Sequence, residues 1–139
     1  MADTINLVYH KIYKKLKKLG VLDINEYKKI TSPGFMDLSI DIIRDNDDER
    51  VIAMAHNGVQ NGDVMADPDM EIKIHKKLET AEALTYQNDY VGVYQEVYPE
   101  PGKINIQLKR ELNRFLNQWL DNLATQGFYR KGGTDERKK

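Results

Sequence analysis

The sequence predicts an α+β domain, an antiparallel meander of about five strands flanked by an N-terminal helix and a long C-terminal helix packed on one face. Three observations lead there. Apolar residues recur at helical spacing near both ends of the chain, over residues 4–19 and about 104–125. Between those ends single apolar and polar residues alternate, the pattern of strands covered on one side only. The alternating segments follow one another across short turns, leaving no room for the crossover helices of a parallel sheet. At 139 residues the chain is long enough to bury a core as one domain. Residues 1–128 are predicted to form that domain, with a charged, disordered tail over 129–139.

The first helix is read from Ile5, Val8, Tyr9, Ile12, Tyr13, Leu16 and Leu19, with Thr4 as N-cap and Gly20 at the left-handed C-terminal position. A second short helix is expected over 23–30, because Asp23 and Glu26 have capping-box spacing. Thr31 to Gly34 then breaks the chain. Over 35–44, Met36, Leu38, Ile40 and Ile42 oppose Asp37, Ser39 and Asp41, a half-buried strand. Residues 49–56 form the next strand, and Asn57-Gly58 signals a hairpin turn, with a second turn at Asn61-Gly62. Val59 and Gln60 between them would be at most a brief edge segment.

Residues 69–76 alternate again, and Pro68 belongs at the strand start or an edge because it lacks an N–H. A hairpin over 80–87 and 90–98 turns at Asn88-Asp89. Tyr90, Tyr94 and Tyr98 then share one strand face, expected to pack under a helix. After a stiff connector over 98–102, Leu108, Leu112, Phe115, Leu116, Trp119, Leu120 and Leu123 form the stripe of the last helix, which Gly127 ends.

Composition excludes several classes. Without cysteine there is no disulfide, thiolate ligand or cysteine nucleophile. No apolar run is long enough to span a membrane and no secretory leader is apparent, so a cytoplasmic protein without membrane association is expected. Charge is unevenly placed. Residues 1–31 carry seven Lys/Arg against three Asp/Glu, residues 32–99 five against fourteen, and residues 100–139 nine against five. Basic ends around an acidic middle mean either two faces of one domain or ordinary solvated surface.

Residues 56–98 hold the chemistry-bearing side chains. His56, Asp63, Asp67, Asp69, Glu71 and His75 are ligand types for a metal-dependent hydrolase, but their spacing matches no metal motif. A calcium loop from Asp67 fails because Ile72 stands where its glycine belongs and Leu78 where its glutamate belongs. No metal, cofactor or catalytic residue is therefore assigned. Asp37 and Asp41 share a strand face about 13 Å apart, too far for a direct carboxylate pair. Phosphate-loop and nucleophile-elbow motifs are absent. A lysine face of Lys11, Lys14, Lys15 and Lys18 offers an alternative, nucleic-acid binding through phosphates, which Lys109, Arg110 and Arg114 would extend.

Three stretches, QNGDVMADPDM over 60–70, ALTYQNDYVGVY over 83–94 and LNRFLNQWLDNLATQGF over 112–128, resemble a family of short uncharacterised bacterial domains found on phages, plasmids and integrative elements. The resemblance spans roughly residues 35–128 and carries over no site residues. It implies an accessory protein of a mobile element. The expectation is therefore a non-enzymatic binding module with a protein partner, possible inhibitors of host defence included by analogy. Its surface would combine the turn-rich loop 57–69 with the acidic sheet face, centred on Gln60, Asp63, Asp67, Glu71 and His75.

Overall fold

The computed structural model describes residues 2–129. The side chains of residues 2–6, Val59, Gln60 and Val64, and all of 130–139 with most of the predicted tail, lie outside the described residues. Helix α1 (Ala2–Leu19) starts upstream of Thr4, so the expected cap lies inside the helix. Ile12, Tyr13, Leu16 and Leu19 are buried, and Gly20 ends the helix with φ 96°.

A single 3-10 turn (Val21–Asp23) follows, then strand β1 (Tyr27–Ile30) where a second helix was expected. The reason is a period of two: Ile30 turns inward while Tyr27 and Lys29 line the opposite face. The rest of the sheet comprises β2 (Asp37–Asp45), β3 (Glu49–Gln60), β4 (Asp63–His75), β5 (Thr80–Ala83), β6 (Thr85–Asn88) and β7 (Val93–Glu96). All pairings are antiparallel in the order β1-β2-β3-β4-β6-β7, with β5 also on β4. The sheet thus has seven strands where about five were expected. The additional ones are β1 and the division of 80–88 at Leu84, whose N–H still donates to the Glu71 carbonyl at 2.8 Å.

The stretch expected to be a loop is the longest hairpin of the sheet. β3 runs through Asn57-Gly58 without turning, and the turn is Asn61-Gly62 alone, closed by Gln60 opposite Asp63. Both turn residues have positive φ, 53° and 86°, the conformation a two-residue hairpin of right-handed twist requires. Pro68 sits inside β4, not at its start. It occupies a bulge, where the register passes from Ala55 opposite Asp69 to Asn57 opposite Ala66, and the ladder needs no N–H from it. The Asp67–Pro68 peptide is cis.

Helix α2 (Ile106–Thr125) is capped by Asn105, whose Oδ1 accepts the Leu108 N–H at 3.0 Å. It lies beside α1, where Lys15 Nζ meets Asn117 Oδ1 at 2.7 Å and Asp121 Oδ1 at 2.8 Å. Leu38, Ile40, Ile52, Met54, Met70, Ile72 and Ile74 are fully buried with Ile12, Leu16, Leu116 and Leu120. Each such side chain contributes about 1.5–3 kcal/mol of transfer free energy. Phe128 and Tyr129 pack onto this core after Gly127. Phe115 is the exception in the expected stripe. It is substantially exposed and meets Tyr86 edge to face at 5.4 Å.

With both helices on one face, charge separates by layer. α1 carries five lysines and one aspartate, while Asp37 and Asp41 of β2 lie on the opposite face of the sheet. The lysines of α1 and the carboxylates Asp37, Asp41 and Asp69 thus lie on different surfaces of one domain.

Candidate functional site

The face of the sheet turned away from the helices is built by register. One row runs Lys29, Ser39, Ala55, Asp69, Gln87 and Tyr94 across the strands. The next holds Tyr27, Asp41, Ala53 and Glu71. In these two rows the central strand β3 contributes alanines, so the middle of the face is low and its flanks are tall. The result is a concavity of about 510 Å³, with Ala53, Ala55 and Ser39 on the floor and Tyr27, Asp37, Asp41 and Asp69 around it.

Gly58 bounds this concavity, and its role is close approach, not turning. A Cβ there would lie 2.5 Å from the Tyr90 hydroxyl and 3.0 Å from Met36 Sδ. Tyr90 comes from the turn between β6 and β7 and reaches across to β3. That turn is tied down by Asp89, which accepts the Ala66 N–H at 2.8 Å and Gln87 Nε2 at 2.7 Å. Asn88 adds a bond to Asp67 Oδ1 at 2.6 Å.

The site is electrostatically negative. Burial raises the Asp69 pKa, and the nearby carboxylates of Glu71, Asp89 and Asp41 raise it further. Lys29 pairs with Asp37 at 3.3 Å at one margin. At the other end of the sheet a separate cluster forms. Glu82 is paired with Lys109 at 3.6 Å, accepts a hydrogen bond from the Tyr98 hydroxyl and lies 3.4 Å from His75 Nε2. Burial raises the Glu82 pKa, but the Tyr98 bond, Lys109 and His75 outweigh it and the carboxyl lies below its ordinary value. Lys109 also sits 5.5 Å from the ring centres of both Tyr9 and Tyr98. This cluster joins α1, α2 and β5 and is satisfied internally.

The five residues singled out from the sequence do not converge. Gln60 ends β3, and Asp63, Asp67, Glu71 and His75 are strung along β4, so Asp63 and His75 lie about 40 Å apart by strand rise. The Gln60 side chain lies outside the described residues. Asp63 is exposed beside the turn, Asp67 holds Asn88, and His75 faces Glu82. Glu71 alone belongs to the rows of the concavity.

His56, offered as a metal ligand or acid–base group, is buried on the helix side instead. Its Nδ1 donates to the Met36 carbonyl at 3.1 Å, and its ring packs 5.5 Å from Trp119 and 5.4 Å from Phe128. Burial depresses its pKa despite raising contributions from Met36, Asp37 and Asp67. Among the described residues no group of three metal-ligating side chains assembles, and the hydrolase ligand set is split between two faces of the sheet.

In the lysine face, Lys15 is bound to Asn117 and Asp121, leaving Lys11, Lys14 and Lys18 exposed. Tyr90 and Tyr94 are 41% and 55% exposed, whereas Tyr98, 39% exposed, meets Lys109 of α2. Val97 takes the inward position, Tyr94 stands beside Gln87 on the open face, and Tyr98 lies past the end of β7.

Sequence reasoning missed Tyr27, Lys29, Ala53, Ala55 and Gly58. The available signal was small residues at outward positions of β3, opposite acids on β2. No helix among the described residues is long and apolar enough to cross a membrane. No curated protein and no solved structure matches the chain. A model of a domain of unknown function, DUF6908, matches residues 8–129, and the chain belongs to that family.

Proposed function

We propose that this domain is a non-enzymatic binding module whose open sheet face docks the basic surface of a protein partner. The reading rests on one observation: an uncovered concavity where burial and three neighbouring carboxylates raise the Asp69 pKa. A cationic group entering from outside would relieve that repulsion, and the alanine floor admits a long side chain without a clash. Tyr27 lines the concavity and the exposed Tyr94 ends the Asp69–Gln87 row, aromatic side chains of the kind enriched at interfaces. The mobile-element setting belongs to the same proposal, and makes a host protein, including one of a defence system, the expected partner.

The test is a pull-down from bacterial lysate with wild type, Glu71→Lys and the plugging variant Ala55→Arg, with Lys14→Glu on the helix face as control. A protein captured by wild type and Lys14→Glu but lost from the other two supports the reading. Equal capture by all four, or by none, overturns it.

A further inference from the structure

The helix layer carries a second concavity, of about 440 Å³, between α1 and α2. Val8, Ile104 and Ile106 supply apolar walls, and Ile104 and Ile106 are 45% and 58% exposed although nonpolar. Lys109, Arg110 and Arg114 line the same groove, which has no acidic lining residue. The three cations differ. Lys109 is held by Glu82 and Tyr98. Arg110 and Arg114 are exposed and have no carboxylate partner among the described residues. They stand four residues apart on one face of α2, and both line the groove.

We infer that this groove binds a free monoanionic amphiphile, an apolar chain with one carboxylate head. The chain lies along Val8, Ile104 and Ile106, and the head is clamped by Arg110 and Arg114. Guanidinium matches carboxylate in a planar, two-point geometry, and the volume is in the range of small-molecule sites. The groove lies on the opposite side of the sheet from the acidic concavity, so its test does not depend on the protein-binding reading.

The test uses the full chain and dodecanoate, followed by calorimetry and by amide chemical shifts. Saturable binding is expected, with shifts centred on Val8, Ile104 and Ile106. Arg110→Ala and Arg114→Ala should each weaken it about tenfold, the scale of one charge-assisted hydrogen bond. Ile106→Glu, which places an acid in the wall, should weaken it at least as much, and dodecanol, with the same chain and no charge, should bind more weakly than dodecanoate. Thermal melts of the variants separate a lost site from a lost fold. Three results would overturn the inference: no saturable binding of dodecanoate, equal binding of dodecanol, or affinity unchanged in folded arginine variants. Binding to phosphatidylglycerol vesicles without binding to monomeric dodecanoate would also overturn it, in favour of a membrane surface.

Discussion

The Tyr90 hydroxyl lies 2.5 Å from the point where a Cβ would stand at Gly58, so the turn between β6 and β7 seats its tyrosine on β3 where the strand has no side chain. Gly58 has no positive φ, and alanine suits its backbone. Gly58→Ala should therefore leave stability within about 1 kcal/mol of wild type while pushing Tyr90 off β3. The aromatic resonances of Tyr90 should shift and partner capture should fall. In a Tyr90→Ala background the same substitution should have little further effect on capture. Additive losses in that double-mutant cycle would show that the two residues act separately.

Asn113 caps the outer edge of β5. Its Oδ1 accepts the Ala83 N–H at 2.8 Å and its Nδ2 donates to the Lys109 carbonyl at 2.7 Å, both from a side chain that is 3% exposed. Asn113→Leu keeps the volume and removes both bonds, leaving the Ala83 N–H buried and unpaired. A loss of about 1–3 kcal/mol is expected from urea unfolding. An unchanged urea midpoint would mean that the strand edge is satisfied another way.

Arg50 ties the 3-10 turn to the sheet. Its Nη1 donates to the Val21 and Ile24 carbonyls, each at 2.8 Å, and its Nε to Asp45 Oδ1 at 3.1 Å. Arg50→Met should cost roughly 2–4 kcal/mol, because it orphans buried carbonyls. The hydrogen bonds from Arg50, and next from Lys76, lower the Asp45 pKa from 3.8 to about 2. A depressed carboxyl contributes stability above its unfolded pKa and loses it as pH falls through the folded one. The variant should accordingly show a flatter loss of stability between pH 3.8 and about 2. Asp45 is largely solvated, so this pH-dependent part is small and calls for a direct comparison of acid titrations.

Asp69 has the opposite sign. Its raised folded pKa means that the native state holds the proton more tightly, so stability present at low pH is lost as pH rises through that pKa. Asp69→Asn should raise the thermal midpoint at pH 7, and the gain should vanish once the pH is brought below the carboxylate range. The same variant should bind a basic partner less well. A lower midpoint at pH 7 would mean that the charge is compensated on the face.

Local periodicity made much of the fold legible. The stripes of both helices and the opposition of Leu38 and Ile40 to Asp37 and Asp41 are properties of neighbouring residues, and they reappear as buried and open faces. The Asn61-Gly62 turn was legible for the same reason, because two positive φ values are a local demand. β1 was not, since four residues with a single buried apolar side chain carry too short a pattern to compete with a capping-box spacing.

The residues alone thus determined an α+β domain with one-sided antiparallel strands and an uneven distribution of charge along the chain. Tertiary structure decided what the distinctive letters do. Gly58 resembled a turn residue and is a seat for Tyr90, His56 resembled a ligand and is packed under α2, and Asn113 interrupted an apolar stripe in order to cap a strand. Each of those roles is set by a residue 30 or more positions away, through register and helix placement that no local pattern encodes. The candidate site followed the same rule. The sequence placed it on a turn-rich loop over 57–69 beside an acidic sheet face, and the lining of the concavity comes together from four strands.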